Sequence, residues 1–216
     1  MNCNRLPIDR ENWPRRAHFT YYTETLRVGY SLTVELDITR LLAGVRARGL
    51  RLYPALIWCA ARAVNRNPEF RMCRGEAGAP CYWEVCHPNY TIFHEDDHTF
   101  SDMWSEFDDD FMVFYDRVTT DLAAYGGNKG PKAKPGQPPN FFCISCVPWM
   151  RFTGYSTFNA DGGAAWFPVM LCGQYFEREG KTLLPVSVSV SHAVADGWHT
   201  CKLLRDMQEE MDGLAL

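Results

Sequence analysis

Residues 181–199 read KTLLPVSVSVSHAVADGWH. From Val186 to Ser191 valine and serine alternate, the period of a strand whose successive side chains face opposite sides of a sheet. The alternation stops at His192. Four residues on, Asp196-Gly197 has the signature of a helix start with Asp196 as N-cap, and Leu203, Leu204, Met207 and Met211 supply the apolar positions of that last helix. A strand running out on a histidine beside a helix N-terminus fixes the imidazole's backbone at a sheet end, where it is placed to act on a ligand. A structural histidine followed by a helix cap explains the same residues.

Working outward, residues 27–36 (RVGYSLTVEL) alternate as a second strand, and Asp37 caps a predicted helix ITRLLAGVRARG that stops at Gly49. Residues 54–66 (PALIWCAARAVNR) start with Pro54 at a first helical position and are apolar nearly throughout, which predicts a buried helix. Residues 82–94 read as two short strands broken at Pro88, and 107–127 as an amphipathic helix with a stripe of Phe107, Phe111, Phe114, Val118 and Leu122 ended by Gly126-Gly127. The stretch 126–140 (GGNKGPKAKPGQPPN) is too rich in Gly and Pro for a regular element. After it come FFCISCV and WFPVMLCGQYFE, each read as a strand, and then the opening stretch. No internal repeat is visible. The pattern predicts one α/β domain over 1–216, a two-layer α-β sandwich with one mixed β-sheet covered by helices.

Composition narrows the function classes. A hydrophobic fraction of 46% with 22% charged residues describes a globular chain able to bury a core rather than a disordered one. The formal charge of −4, without a Lys/Arg run, disfavours a nucleic-acid partner. The N-terminus lacks the apolar core of a signal peptide, and no stretch approaches the roughly 20 apolar residues of a membrane span, so the expectation is a cytoplasmic protein with no membrane partner. The nine cysteines, an odd number, sit inside apolar runs such as LIWCAA and VMLCG, the usage of reduced, buried thiols.

Two motifs are weighed and set aside. His94-Glu95-Asp96-Asp97-His98 has the letters of the HExxH zinc-protease motif, whose histidines must lie one helical turn apart. Here it follows the strand-like YTIF and contains two turn-favouring aspartates, so a polar loop and no metal site are expected. Cys143-Ile144-Ser145-Cys146 has redox spacing, yet on a strand the two sulfurs would diverge and Ser145 would share a face with Cys143.

In order along nearly the whole chain, NWPRRAHFTYY, GYSLTVELDIT, RLYPALIWCAARAVNRNPEFR, YTIFHEDDHTFS, ISCVPW and LLPVSVSVSHAVADGWH resemble the type A chloramphenicol acetyltransferases. The HxxxDG element alone is less specific, since dihydrolipoyl acyltransferases carry it and share the fold. The resemblance implies acetyl-CoA as co-substrate, chloramphenicol as acceptor, no metal, and a homotrimer with His192 supplied by one subunit and most of the acceptor pocket by its neighbour. It implies that His192 is the general base, its other ring nitrogen held by its own backbone carbonyl, and that no acyl-enzyme forms. Ser145 matches the donor to the oxyanion. Asp196 matches an aspartate paired with an N-terminal arginine, Arg15 or the adjacent Arg16, in a structural role. For the acceptor the resemblance points to Tyr21, Tyr22, Leu26, Tyr30, Phe100 and Tyr155, and for CoA to Tyr175 against the adenine and Arg51 near the 3′-phosphate.

The chain also departs from that pattern. Ser191 stands for the first of two adjacent histidines, Ala195 for a common cysteine, and Leu171 for a threonine that helps bind acceptor and water. The loop KAKPGQPP offers no aromatic residue where the family often has one. The rival readings are a same-fold acyltransferase with another hydroxyl or thiol acceptor, a non-catalytic small-molecule binder, and a metallohydrolase built on HEDDH.

Overall fold

The alternating stretch forms an eleven-residue strand, Lys181–Ser191, at the heart of a mixed sheet. The computed structural model describes residues 3–157 and 165–214. In chain order its elements are β1 (Arg5–Pro7), α1 (Arg16–Glu24), β2 (Gly29–Asp37), α2 (Thr39–Ala47), α3 (Leu52–Arg66), β3 (Met72–Arg74), β4 (Pro80–Trp83), β5 (His87–His94), β6 (Thr99–Trp104), α4 (Phe111–Tyr125), β7 (Phe141–Cys146), β8 (Val169–Cys172), β9 (Phe176–Arg178), β10 (Lys181–Ser191) and α5 (Gly197–Gly213).

The main sheet runs β2-β10-β8-β7-β5-β6, with β9 also on β10, and a small sheet runs β1-β4-β3. Strand β7 is parallel to both β5 and β8, while the other neighbours are antiparallel. On one face Ile144, Met170, Val186 and Val188 are fully buried beneath the helices. Helix α3 is the centre of that layer: Ala55, Ile57, Cys59, Ala60, Ala61, Ala63 and Val64 have no solvent exposure, so it is apolar all round, as its composition predicts. Both α4 and α5 pack on it, α5 through Leu203, Leu204, Met207 and Met211. The Asp110 carboxylate starts α4 by accepting from the amides of Met112 (2.8 Å) and Val113 (3.1 Å), two of the donors a helix leaves orphaned. The fold is the α/β arrangement of a mixed sheet and covering helices.

Five local expectations change. Asp37 is the last residue of β2, and the N-cap of α2 is Ile38. Helix α4 begins at Phe111 behind the Asp110 cap, so Phe107 of the stripe lies outside it, buried in the same core. Pro54 occupies the third rather than the first position of α3, because Leu52 and Tyr53 join its first turn. The break between β4 and β5 falls at Glu84–Cys86, where Asn65 binds the Cys86 amide (2.8 Å) and carbonyl (2.9 Å); Pro88 sits instead as the second residue of β5, near the strand start where a missing N–H is tolerated. The segment WFPVMLCGQYFE is two strands, β8 and β9, bent at Gly173. Its amide donates to the Pro185 carbonyl at 2.8 Å, and a Cβ there would lie 2.8 Å from the Phe152 ring.

Candidate active site

Beyond β10 the chain turns through Ala193–Ala195 before α5 begins, with the amides of Val194 and Ala195 bonded to the Ser191 carbonyl at 3.1 and 3.2 Å. The His192 amide donates to Val28 O at 3.0 Å, which ties the turn to the start of β2. The imidazole lies flat on Tyr22, with ring centres 4.1 Å apart and planes 4° apart, and meets the edge of Tyr30 at 5.0 Å. Tyr21 packs edge-on against Tyr22, and Tyr30 Oη shares a 2.7 Å hydrogen bond with Thr200 on α5. Burial pushes the Tyr30 phenol upward, so it stays protonated. Leu26 lies two residues before the Val28 carbonyl and is exposed. Four of the six proposed acceptor residues therefore share one corner with the histidine of their own chain.

Arg15 secures the back of this corner. Its Nη1 is paired with Asp196 Oδ2, and Nη2 donates to His192 O at 3.0 Å and Ala193 O at 3.3 Å, whereas Arg16 faces solvent. Burial draws the Arg15 guanidinium below the usual arginine value, yet it remains a cation beside the carboxylate. The His192 carbonyl accepts from Arg15, and among the described residues no hydrogen bond joins it to its own ring, whose Nδ1 has no hydrogen-bond partner. Asp196 Oδ1 lies 3.1 Å from His192 Nδ1, without the alignment of a hydrogen bond. His199 Nδ1 in turn accepts from the Asp196 amide at 3.2 Å, completing the start of α5.

Ser145 belongs to a different place. On β7 it shares a face with Cys143, while Ile144 points into the core, as the strand period requires. Its hydroxyl lies 2.7 Å from Thr91 Oγ1 on the adjacent β5. Both line an open cavity of about 970 Å³ that also takes in Arg51, Tyr53, Phe93, Phe100, Trp149, Tyr155 and Leu171. Phe100 is 62% exposed and Trp149 57%, too much for aromatic side chains whose only task is core packing. Arg51 precedes α3, its amide bonded to Tyr115 Oη at 2.9 Å, and it makes no ion pair among the described residues. Tyr175 is not among the cavity residues; it is exposed beside Gln174, whose amide holds the Met150 carbonyl at 3.0 Å.

The sheet register sets the distance between the two places. Ser145 stands opposite Leu171, and Leu171 opposite Ser187, so His192 lies two strands across and five residues along. At ~4.8 Å per strand and ~3.3 Å per residue this is about 19 Å between backbone positions. His192 is not among the residues of the Ser145 cavity. Within one chain the two calls are not brought together.

The family model for chloramphenicol acetyltransferase matches residues 1–208. The chain belongs to the chloramphenicol acetyltransferase family. A chloramphenicol acetyltransferase of Clostridium perfringens is 39% identical over 202 residues, covering 94% of this chain and 92% of that protein. A solved chloramphenicol acetyltransferase superposes with a TM-score of 0.89 at 20% identity, over 96% of this chain and all of that one. The fold extends further, to a dihydrolipoamide acetyltransferase of Azotobacter vinelandii with a TM-score of 0.67 at 16% identity, covering 90% and 85%. As a member of this family the protein is an acyltransferase enzyme.

In this chloramphenicol acetyltransferase family member the set-aside motifs have structural places. His94 ends β5, buried, with Nε2 2.9 Å from Ser101 Oγ, and Glu95–His98 turn the chain into β6, so no helix places the two histidines together. Lys129 meets Asp96 and Asp97 at 2.5 and 2.6 Å and holds the Asp97 carboxyl below the usual carboxylate range. Among the described residues no cluster of three His, Cys, Asp or Glu side chains is placed to hold a metal. All nine cysteines are free thiols, and burial pushes Cys146 up to about 11. Of the loop 126–140, only Gly126 reaches the cavity; Lys134 caps the Trp104 ring at 3.9 Å instead. Thr91, Tyr53 and Trp149 were not singled out from the sequence. Thr91 alternates with Phe93 on one face of a strand, but only the β5–β7 pairing shows that this face meets Ser145. Nor does the sequence show that Cys73 and Cys81, opposite each other on β3 and β4, have sulfurs 3.1 Å apart.

Proposed function

We propose that the protein transfers the acetyl group of acetyl-CoA to a hydroxyl of chloramphenicol, in active sites built between the subunits of a homotrimer. The observation that carries the reading is the separation itself. One place on the chain presents an oriented imidazole in an aromatic corner, another a serine in an open cavity, and each has half of what acyl transfer needs. A head-to-tail interface that closes into a ring brings the first of one subunit onto the second of the next, and buries Tyr21, Leu26, Phe100 and Tyr155 as it does so.

The residues fit the two substrates. The cavity has the size usual for small-molecule sites and an apolar, aromatic lining suited to the acceptor. Arg51, free of ion pairs among the described residues, is available to a phosphate of CoA, and Tyr175 offers an exposed ring for the adenine. Acetyl-CoA supplies the activated acyl group. His192, kept in place by Tyr22, takes the proton from the acceptor hydroxyl as that oxygen attacks the thioester carbonyl, and Ser145 donates to the oxygen that gains negative charge. Transfer is direct. Among the described residues the hydrogen-bond partner of Ser145 is a threonine and not a base, and burial pushes the Cys146 thiol of the same cavity upward, so neither side chain is activated as a nucleophile. Arg15 and Asp196 hold the turn that carries His192. A cytoplasmic location matches the nine free thiols.

The test is thiol release on mixing the protein, acetyl-CoA and chloramphenicol. Rapid release that disappears in His192→Ala supports the reading, and unchanged turnover in that variant removes the base. Leu171 in the cavity favours one second reading, a different small hydroxyl acceptor. Binding of CoA with no release on chloramphenicol would select it.

A further inference from the structure

The Ser145 hydroxyl has one proton. To donate it to an oxyanion, Ser145 needs that proton aimed into the cavity, and a serine rotor is free to aim it elsewhere. Among the described residues its hydrogen-bond partner is Thr91 Oγ1, at 2.7 Å, and either hydroxyl can be the donor. Thr91 lies beside Ser145 in the sheet, one step beyond the Tyr90–Ile144 pair of the parallel β5–β7 ladder. On the other flank of Ser145 the register places Leu171, which has no polar atom to offer. Beyond it the same row continues with hydroxyls, Ser187 and Thr33, bonded to each other at 3.1 Å. The row is polar across the face except where Leu171 interrupts it, and the interruption leaves Thr91 as the one side chain in the row able to set the Ser145 rotor.

We infer that Thr91 is a positioning residue for the acyl transfer: by donating to Ser145 Oγ it directs the serine proton toward the forming oxyanion. The inference rests on the oxyanion role proposed for Ser145. Three features of the site suit Thr91 to this task. Its β-branched side chain on a strand has restricted χ1, so its hydroxyl is held in one direction. Its carbonyl accepts from Tyr53 Oη at 3.3 Å, which anchors the same residue from below. A donor whose own oxygen accepts a hydrogen bond is polarised by it, so the Thr91–Ser145 pair is a stronger donor than Ser145 alone.

The experiment is a double-mutant cycle with chloramphenicol and acetyl-CoA, reading kcat and both KM values. Thr91→Val keeps the shape and removes the hydroxyl; kcat should fall about tenfold while each KM stays within about twofold, the mark of an interaction felt mainly in the transition state. Thr91→Ser should restore most of kcat. In a Ser145→Ala background, Thr91→Val should change kcat less than about twofold, because no rotor is left to set. The inference is overturned if Thr91→Val leaves kcat unaltered, if the loss falls on KM, if Thr91→Ser fails to restore a folded enzyme's activity, or if the two losses multiply in the double variant. Undiminished kcat in Ser145→Ala alone sinks the oxyanion role itself. A large loss there with a neutral Thr91→Val sinks only the role of Thr91.

Discussion

The His192 corner and the Ser145 cavity are built on opposite principles. At His192 the turn is held from several sides: Val28 takes the amide, Arg15 takes two carbonyls, and Tyr22 and Tyr30 enclose the ring. At Ser145 the strand is regular and the side chain faces open space, with a single hydroxyl neighbour. The difference follows from the chemistry each group would perform. A base must keep one tautomer and one direction after its strand has ended, so the turn has to be held from outside. A donor on a strand receives its position from the sheet ladder and needs only room for the reacting atoms.

The comparison breaks most decisively by complementation. Alone, His192→Ala should lower kcat by roughly 10³- to 10⁴-fold and Ser145→Ala by roughly a hundredfold. Refolded together in equal amounts, the two inactive proteins should regain activity, up to about a quarter of normal in a randomly mixed ring, because some boundaries join an intact His192 to an intact Ser145. No recovery would mean that the two places do not meet between subunits.

Next in size is Arg15→Lys. A lysine keeps the charge but cannot serve Asp196 and two carbonyls from one planar fork, so stability should drop by about 2–3 kcal/mol in denaturant titration, with kcat reduced through His192. A stability unchanged within error would show that the corner holds without its clamp.

At the start of β5, His87 is buried, with Nδ1 accepting from the Phe107 amide at 3.0 Å. Burial lowers its pKa to about 4, below that of an unfolded histidine, so the folded protein prefers the neutral ring. The associated stability is present above about pH 6.5 and is lost as pH falls from there toward 4, by up to about 3 kcal/mol. His87→Gln should flatten that part of the stability–pH curve, and an unaltered slope would assign the acid sensitivity to other groups. The smallest effect belongs to Asp110→Ala, which removes the cap of the helix whose far end reaches the cavity at Leu122. A loss of about 1 kcal/mol with kcat unchanged is the expected result, read from thermal unfolding and turnover of the same sample.

Much of the architecture was legible before any coordinates. The valine–serine alternation of β10, the apolar body of α3 and the stripe of α4 from Phe111 onward each repeat at their element's own period, and the structure forms those elements there, with Phe107 left before the Asp110 cap. What misled were the punctuating residues. Pro88 signals a break, but a proline near a strand start loses little, and the true break is enforced by Asn65, nineteen or more positions away in sequence. Gly173 sits inside an apolar run whose period gives no sign of a bend; that the Phe152 ring leaves no room for a Cβ there is a fact of the folded chain alone.

By itself the sequence determined the element types, the mixed sheet with its helical cover, and the residues that resemble a known catalytic set, because local periodicity and motif order are properties of the chain alone. Only the tertiary structure decided that Arg15 and not Arg16 meets Asp196, that Thr91 stands beside Ser145, and that His192 and Ser145 lie two strands apart and in different places of one chain. Those are matters of strand order and register, and register is set by how distant segments pair, which no local pattern encodes.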